Sequence, residues 1–343
     1  MKLNAVNKII FSALLSITPP CFAIKSPPAN DSQEISPNQA VASSLITQNE
    51  AIPADDISSE TQKRSYKLIP DEDSSGLKWL LENKNVSIIS PEKFYLSTYN
   101  SVFTAPPPIP AKFDVLSLDP IFPSSFTQGQ QNSCTANALT GLIRFVMDME
   151  GMPPEDLSRR FIYANERLVE GDINEDSGAS LSTGIRTLCE YGVCKEELCP
   201  YDDTMVTQIP SEMAYIDALN RANLDDMRLG YIPQSLEVMK YTLSMLQRPF
   251  VLGVQIYESF ESETVTQTGI IPMPQAGERW RGGHAMLAIG YNDIKQTFTI
   301  RNSWGPKWGH EGNCYLPYKF VDEKLTSDSW TIRRIGKKVQ RNI

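Results

Sequence analysis

The clearest pattern along the chain is a stripe of apolar residues that recurs every three or four positions after Cys134. This spacing places side chains on one face of an α-helix. The residues of the stripe are Leu139, Leu142, Ile143, Val146 and Met149. Gly151 and the Pro153-Pro154 pair follow them, as is typical after the end of a helix. The pattern predicts an amphipathic helix that buries one face and begins beside a cysteine.

Similar patterns predict further helices, and a change of period then predicts strands. The helices cover about residues 157–170, 180–191 and 234–248. From residue 250 onward, apolar residues come in short segments separated by Gly, Pro and Asn, which is typical of β-strands. The predicted strands are 250–257, 284–291, 297–301 and 313–318. Helices first and strands afterwards indicate an α+β fold with two lobes.

The N-terminal third of the chain differs from the rest in composition. Residues 1–23 combine two lysines, a short apolar run and a small-residue exit, which predicts a signal peptide. Residues 24–65 are rich in Ser, Pro, Asn and Gln and predict a flexible polar spacer. Residues 66–110 predict a short helix, one or two strands and a proline-rich hinge. We therefore expect the main domain at 111–343 and a protein secreted into the periplasm or the extracellular space.

Composition and charge exclude several classes of partner. The chain has 41% hydrophobic and 21% charged residues, as an ordinary globular protein does. A formal net charge of -9 argues against a nucleic-acid partner, because phosphates require a basic surface. After the leader, no apolar stretch approaches the length that spans a bilayer. We expect a monomer that binds neither nucleic acid nor membrane.

The cysteines predict disulfides and one free thiol. Once the leader with Cys21 is removed, an odd number remains: Cys134, Cys189, Cys194, Cys199 and Cys314. In an oxidising compartment four of them can pair, and the one left over is a candidate reactive thiol. The cluster around Cys194 has neither the spacing nor the histidine of a zinc site, so we favour a disulfide there and leave the pairing open. We expect no metal and no organic cofactor.

Cys134 is the candidate for that free thiol, because it lies in the first turn of the predicted helix. Unpaired N–H groups and the positive end of the helix dipole favour a thiolate there. A lone cysteine is more often a small apolar core residue, so its companions decide between the two interpretations. A catalytic thiol requires an imidazole that takes its proton and later protonates the leaving amine.

The sequence contains two histidines, His284 and His310. His284 follows two glycines at the start of a predicted strand, and these glycines allow a substrate or another backbone to approach closely. His310 lies in a turn-rich loop that we expect to face solvent, so His284 is the candidate base. Asn302 follows the predicted strand 297–301, and its amide oxygen can orient the imidazole ring while Trp304 excludes water.

Taken in order, these motifs resemble the papain-like cysteine peptidases over about residues 115–335. The motifs are Gln128 six positions before Cys134, Gly283-His284-Ala285, and Asn302-Ser303-Trp304-Gly305 followed by Trp308-Gly309. The resemblance implies a papain-like two-lobed fold, with the nucleophile on a helical lobe and His and Asn on a β-rich lobe. It implies Cys134 as nucleophile, His284 as general acid/base and Asn302 as the orienting residue. It also implies that the Gln128 side chain and the Cys134 backbone N–H stabilise the oxyanion.

The chain differs from the animal and plant members of this family and resembles a bacterial branch of it. Thr135 stands where those members have Trp, and Gln131 replaces a disulfide cysteine. The resemblance implies an exported thiol peptidase that cleaves peptide bonds through an acyl-thioenzyme. A transferase or ligase, in which an amine captures the acyl group, and a binding protein without turnover are the alternatives. Residues 66–104 either block the cleft of a zymogen or are a permanent part of the fold.

Overall fold

The computed structural model describes residues 64, 66–71, 75–92, 108–119, 122, 124–221 and 226–335 of the 343-residue chain. The proposed signal peptide and, apart from Arg64, the polar spacer lie outside these residues. So do Cys21 and most of the proline-rich hinge.

The helices are concentrated in the first half of the main domain, as the apolar periodicity predicts. In chain order they are α1 (Ser75–Asn83), α2 (Cys134–Met149), α3 (Arg159–Glu170), α4 (Leu181–Tyr191), α5 (Glu212–Arg221), α6 (Leu236–Ser244), α7 (Glu263–Thr268) and α8 (Lys319–Asp322). The side chain of Ser180 caps α4 by accepting from the Thr183 backbone N–H. The helix expected at 234–248 ends earlier, at Ser244, and Gln247 just beyond it has a positive φ of 53°.

The strands form one mixed sheet. They are β1 (Tyr66–Lys67), β2 (Val86–Ile88), β3 (Lys112–Asp114), β4 (Arg228–Ile232), β5 (Phe250–Tyr257), β6 (Trp280–Asn292), β7 (Thr297–Arg301), β8 (Asn313–Pro317) and β9 (Thr326–Arg334). The order is β2-β4-β9-β5-β6-β7-β8, and β1 and β3 both pair with β6. The strand expected at 284–291 begins earlier, at Trp280, so His284 lies inside β6 and not at its start. Strands β4 and β9 were missed by the sequence analysis.

Helix α2 lies at the centre of the molecule and packs against β6. All its residues from Cys134 to Met147 are buried, so it buries more than the single face that the sequence predicts. Met149, expected to point inward, is 38% exposed, because it lies in the last turn at the surface. The N-terminus of α2 therefore meets β6 where the helical part of the chain faces the sheet.

The residues between 75 and 89 are built into the same core. Leu80 of α1 is fully buried, and β2 adds to the edge of the sheet by pairing in parallel with β4. The Ile89 backbone N–H extends this pairing by donating to the Tyr231 carbonyl at 2.9 Å. Asp71 caps α1 by accepting from the backbone N–H groups of Gly76 and Leu77.

The expected pairing of four cysteines is not observed. Cys134, Cys189, Cys194, Cys199 and Cys314 are all buried free thiols. Cys189 contacts the sulfur of Met227 at 3.6 Å, and it and Cys314 belong to the main apolar core, where a thiol packs as a small apolar group. Cys194 and Cys199 lie together in a second, smaller core, where the Cys194 thiol donates a hydrogen bond to Cys199.

Candidate active site

Cys134 and His284 are brought together by the packing of α2 on β6. Cys134 is the first residue of α2 and is 2% exposed. The backbone N–H of Ala285, in β6, donates a hydrogen bond to its sulfur. His284 is the residue before Ala285 and is also 2% exposed. The candidate nucleophile and the candidate base therefore lie on facing elements.

Asn302 reaches His284 because β7 is the antiparallel neighbour of β6. The Asn302 side-chain oxygen lies 2.8 Å from His284 Nε2. The same oxygen accepts from the Ser303 backbone N–H at 2.8 Å, which fixes the orientation of the amide. The Trp304 ring lies against the imidazole, with 5.3 Å between ring centroids. The imidazole is thus held by an amide at one nitrogen and covered by an indole.

Gln128 lies at the same site, and two hydrogen bonds hold its side-chain amide. Its side-chain oxygen accepts from the Ser303 hydroxyl at 2.6 Å, and its Nε2 donates to the Gln131 carbonyl at 2.8 Å. An amide nitrogen carries two N–H groups, so one remains for another acceptor. Ser303 was not singled out from the sequence beyond its place in the Asn-Ser-Trp-Gly motif, because its partner lies 175 positions away.

The four candidate residues therefore converge, whereas the other histidine lies elsewhere. His310 is exposed, as expected, and its Nδ1 lies 2.8 Å from the Tyr315 hydroxyl. A thiol, an imidazole and two amides are the groups required for nucleophilic acyl transfer.

Comparison with known proteins agrees with this arrangement. The model of the papain family of cysteine proteases matches residues 109–323. The chain belongs to this family. An uncharacterized peptidase C1-like protein of Acanthamoeba polyphaga mimivirus is 40% identical over 230 residues, which are 64% of this chain and 72% of that protein. The chain is therefore a papain-family cysteine protease, a hydrolase.

Solved structures confirm the papain-like α+β fold. Xylellain, a cysteine protease from Xylella fastidiosa, is 32% identical with a TM-score of 0.66, and the match covers 80% of this chain and 97% of xylellain. Procathepsin B from Trypanosoma congolense is 15% identical with a TM-score of 0.58, covering 81% and 88% of the two chains. The second likeness is one of fold alone. The first supports, in part, the resemblance to a bacterial branch.

In this protease the N-terminal strand β1 lies across the cleft. Its residues Tyr66 and Lys67 pair in parallel with Gly282 and Gly283 of β6. The Leu68 backbone N–H donates to the Gly283 carbonyl at 3.1 Å. On the opposite side, the Ile69 N–H donates to the carbonyl of Ala179, just before α4, at 3.1 Å. Residues 66–69 therefore contact both walls of the cleft, and together with Arg64 they are called segment 64–69 below.

The side chains of this segment cover the imidazole and its neighbours. Tyr66 meets the His284 ring edge-on at 6.0 Å between centroids, and its hydroxyl donates to Glu261 at 2.8 Å. The Arg64 guanidinium lies 3.9 Å from the centre of the Trp304 ring. The remaining cavity between Tyr66, Gln128 and His284 is about 10 Å³, which holds no more than a water molecule.

Two glycines make this close approach possible. A Cβ on Gly178 would lie 1.8 Å from the Lys67 carbonyl oxygen, and one on Gly282 would lie 2.2 Å from that of Tyr66. Both glycines also have positive φ, of 83° and 135°. Any side chain at either position would exclude the segment from the cleft. The sequence analysis expected close backbone approach next to His284, but it did not identify which backbone approaches.

Burial keeps the thiol and the imidazole neutral. It raises the pKa of Cys134 to about 12, although the Ala285 N–H lowers that pKa, and the Glu166 carboxylate raises it. Burial lowers the pKa of His284 to about 4; the hydrogen bond to Asn302 raises this pKa and the charge of Arg64 lowers it. A thiolate-imidazolium pair is therefore disfavoured in the covered cleft near neutral pH.

Within the described ranges, no group of three or more His, Cys, Asp and Glu side chains is arranged to hold a metal ion. None of the helices that the structure describes is both long and apolar enough to cross a membrane.

Proposed function

We propose that this protease cleaves peptide bonds with Cys134 as nucleophile, His284 as general acid/base and Asn302 as the residue that orients the imidazole. The observation that carries the proposal is the 2.8 Å hydrogen bond between His284 Nε2 and Asn302, next to the buried Cys134. Because this bond engages Nε2, Nδ1 is the nitrogen left to exchange a proton with the thiol.

In the acylation step, His284 takes the proton of Cys134 and the thiolate attacks the carbonyl carbon of the scissile peptide bond. The carbonyl oxygen becomes an oxyanion that accepts from the free N–H of Gln128 Nε2 and from the Cys134 backbone N–H. As the C–N bond breaks, the imidazolium protonates the leaving amine. Water, deprotonated by His284, then hydrolyses the acyl-thioenzyme and restores the thiol.

We further propose that segment 64–69 restrains this activity and makes the full chain a zymogen. Its backbone and side chains occupy the space that a peptide substrate requires, between Ala179 and Gly283. Its burial of His284 and the charge of Arg64 both disfavour the imidazolium. Residues 75–89 have a different role in this proposal: Leu80 is fully buried and β2 pairs with β4 away from the cleft, so they remain in the active enzyme.

The organisation of the rest of the chain follows from the sequence and is proposed on that basis. We propose a signal peptide at 1–23, a polar spacer at 24–65, a pro-segment-like element with a proline-rich hinge at 66–110 and a peptidase domain at 111–343. Within 66–110, residues 75–89 stay with the peptidase domain in the active enzyme. Export would place the protein in the periplasm or the extracellular space, where it acts on peptides as a monomer. In that oxidising compartment, Cys194 and Cys199 are the pair placed to form a disulfide.

The test of the proposed mechanism is labelling with a peptidyl epoxide, followed by peptide mass mapping. The protein would be folded as the full chain and then cut at a protease site inserted between Ile69 and Asp71, so that segment 64–69 can leave. We expect an adduct on Cys134 and on none of the other cysteines. His284→Ala should abolish labelling, whereas His310→Ala, the control, should retain it. Labelling that persists in His284→Ala would contradict the mechanism.

A further inference from the structure

The two proposed oxyanion donors come from opposite ends of one loop. Gln128 begins the loop 128–134 and Cys134 ends it, so their separation depends on how the loop is held. The middle of the loop is fixed by Asp176, which accepts from the backbone N–H and the side chain of Asn132 at 2.8–3.1 Å. The Gln128 side chain is held by Ser303 and Gln131, as described above, and its backbone carbonyl has a further partner.

A single hydroxyl joins the two ends. The Tyr201 hydroxyl donates to the Gln128 backbone carbonyl at 2.8 Å, and it lies 2.5 Å from the Ser133 hydroxyl. A carbonyl can only accept, so the tyrosine proton is directed at Gln128 and Ser133 donates to the tyrosine oxygen. The Ser133 oxygen in turn accepts from the Asn137 amide at 3.1 Å. Tyr201 thus bridges the residue that carries one donor and the neighbour of the other.

Tyr201 is itself rigidly placed. Its ring lies against the Arg159 guanidinium, 3.9 Å from the ring centre, and Arg159 also donates to the carbonyl of Thr127 at 3.1 Å. Its backbone N–H donates to the Glu196 carboxylate at 2.6 Å. Burial raises the pKa of Tyr201 to about 12, so the hydroxyl keeps its proton near neutral pH. The bridge is therefore intact in the conditions under which the enzyme acts.

We propose that Tyr201 is a positioning residue for the oxyanion hole, because its hydroxyl sets the separation between the Gln128 side chain and the Cys134 backbone N–H. This inference rests on the proposed function. Donors stabilise the tetrahedral intermediate only when both lie at hydrogen-bond distance from the developing oxyanion. Tyr201 touches neither the thiol nor the imidazole, so its effect is confined to steps in which an oxyanion forms.

The test compares Tyr201→Phe with the parent in the full chain and after the cut between Ile69 and Asp71. The substitution keeps the ring against Arg159 and removes the bridging hydroxyl. We expect kcat for peptide hydrolysis to fall about tenfold to a hundredfold with little change in KM. Misplaced donors form weaker hydrogen bonds to the oxyanion in the transition state, whereas they have little effect on substrate binding. Inhibition by a peptide aldehyde, whose adduct carries an oxyanion, should weaken by a similar factor. Alkylation of Cys134 by iodoacetamide, which forms no oxyanion, should keep the parent rate.

The matched control is Tyr215→Phe. The Tyr215 hydroxyl is buried and donates to Asn165 at 2.8 Å, so its loss costs stability without touching loop 128–134. We expect a lower Tm and unchanged turnover. Ser133→Ala removes the other arm of the bridge and should lower kcat in the same direction. It also keeps the proposal testable if Tyr201→Phe does not fold.

Two results would overturn the inference: a Tyr201→Phe enzyme that turns over peptide as the parent does, or one in which alkylation falls in proportion to turnover. The second result would mean that Tyr201 acts on the thiol. A parent without turnover would instead contradict the proposed function, and with it this inference.

Discussion

Residues 66–69 and 75–89 are close neighbours in the chain, yet they contact the protein in different ways. The first stretch is held by backbone hydrogen bonds to the two walls of the cleft, and Lys67 and Ile69 remain exposed. The second contributes fully buried Leu80 to the core and adds β2 to the edge of the sheet. This difference supports our proposal that the first stretch is a removable part of the N-terminal segment and the second a permanent one.

The boundary between the two parts lies at Asp71. Asp71 caps α1 through Gly76 and Leu77, and its own backbone N–H donates to Asp328 at 3.3 Å. It therefore belongs with the permanent part. Ile69 is 39% exposed and Pro70 beside it is also exposed, which makes this the accessible point of the segment. From the sequence, residues 66–104 either inhibit the enzyme or are a permanent part of the fold. The structure supports our proposal that residues 66–69 have the first role and residues 75–89 the second.

The largest effect should come from Leu80→Ala. It leaves a cavity at a fully buried core position and should lower the free energy of unfolding by about 2–5 kcal/mol. Peptide turnover by the folded full chain should not increase, because the cleft stays covered. Urea unfolding followed by circular dichroism, with turnover on the same samples, would measure both.

The matched variant Leu68→Ala should behave in the opposite way. Leu68 belongs to the same buried cluster as Leu80, but it packs against Gly253 and Gly283 where the segment meets β5 and β6, so shortening it weakens the contact that holds the segment in the cleft. Turnover by the full chain should rise about tenfold, the effect of about 1.4 kcal/mol lost from the covered state. Similar stability losses without any gain of turnover in Leu68→Ala would remove the distinction between the two parts.

Cutting the folded chain between Ile69 and Asp71 should raise turnover more than Leu68→Ala does, because the whole segment can then leave. Peptide turnover should rise about a hundredfold if the uncut segment occupies the cleft about 99% of the time. Cys134→Ala, cut in the same way, is the control and should stay inactive. An uncut chain that is as active as the cut one would show that the segment does not restrain the enzyme.

The same cut should shift the pH dependence of thiol reactivity. In the covered cleft the pKa of Cys134 is about 12 and that of His284 about 4, both displaced mainly by burial. Releasing the segment removes part of that burial and the charge of Arg64, so the thiol pKa should fall and the imidazole pKa should rise. Iodoacetamide alkylation of Cys134 should therefore need alkaline pH before the cut and proceed near neutral pH after it.

The sequence identifies the candidate catalytic residues of the cleft better than it identifies the residues that position them. Cys134, His284 and Asn302 can be identified because helix periodicity, few histidines and ordered motifs point to them. Tyr201 and Ser303 cannot, since their role arises from hydrogen bonds to Gln128 across 73 and 175 positions and no local pattern encodes that. One or two strands were predicted in 66–110, but the position and partner of β1 could not be, because it is two residues long and its partner Gly282 lies far along the chain.

The smallest effect should come from Tyr66→Phe, which removes one hydrogen bond from the segment in the cleft. The Tyr66 hydroxyl donates to Glu261 at 2.8 Å, but Glu261 also forms an ion pair with Arg281 at 3.2 Å. The carboxylate therefore keeps a partner, and the net loss should be about 0.5–1.5 kcal/mol. This loss lowers the fraction of molecules in which the segment covers the cleft, so turnover by the full chain should rise about twofold to tenfold.

The control for this smallest effect is Tyr257→Phe, whose hydroxyl makes only a 3.4 Å contact with Gln255 and should leave turnover unchanged. Once the chain has been cut between Ile69 and Asp71, Tyr66→Phe and the parent should be equally active, because the segment that carries the substitution has left. A difference that persists after the cut would mean that the cut segment stays bound in the cleft. No difference before the cut would leave Leu68, Arg64 and the paired backbone as the contacts that hold the segment in place.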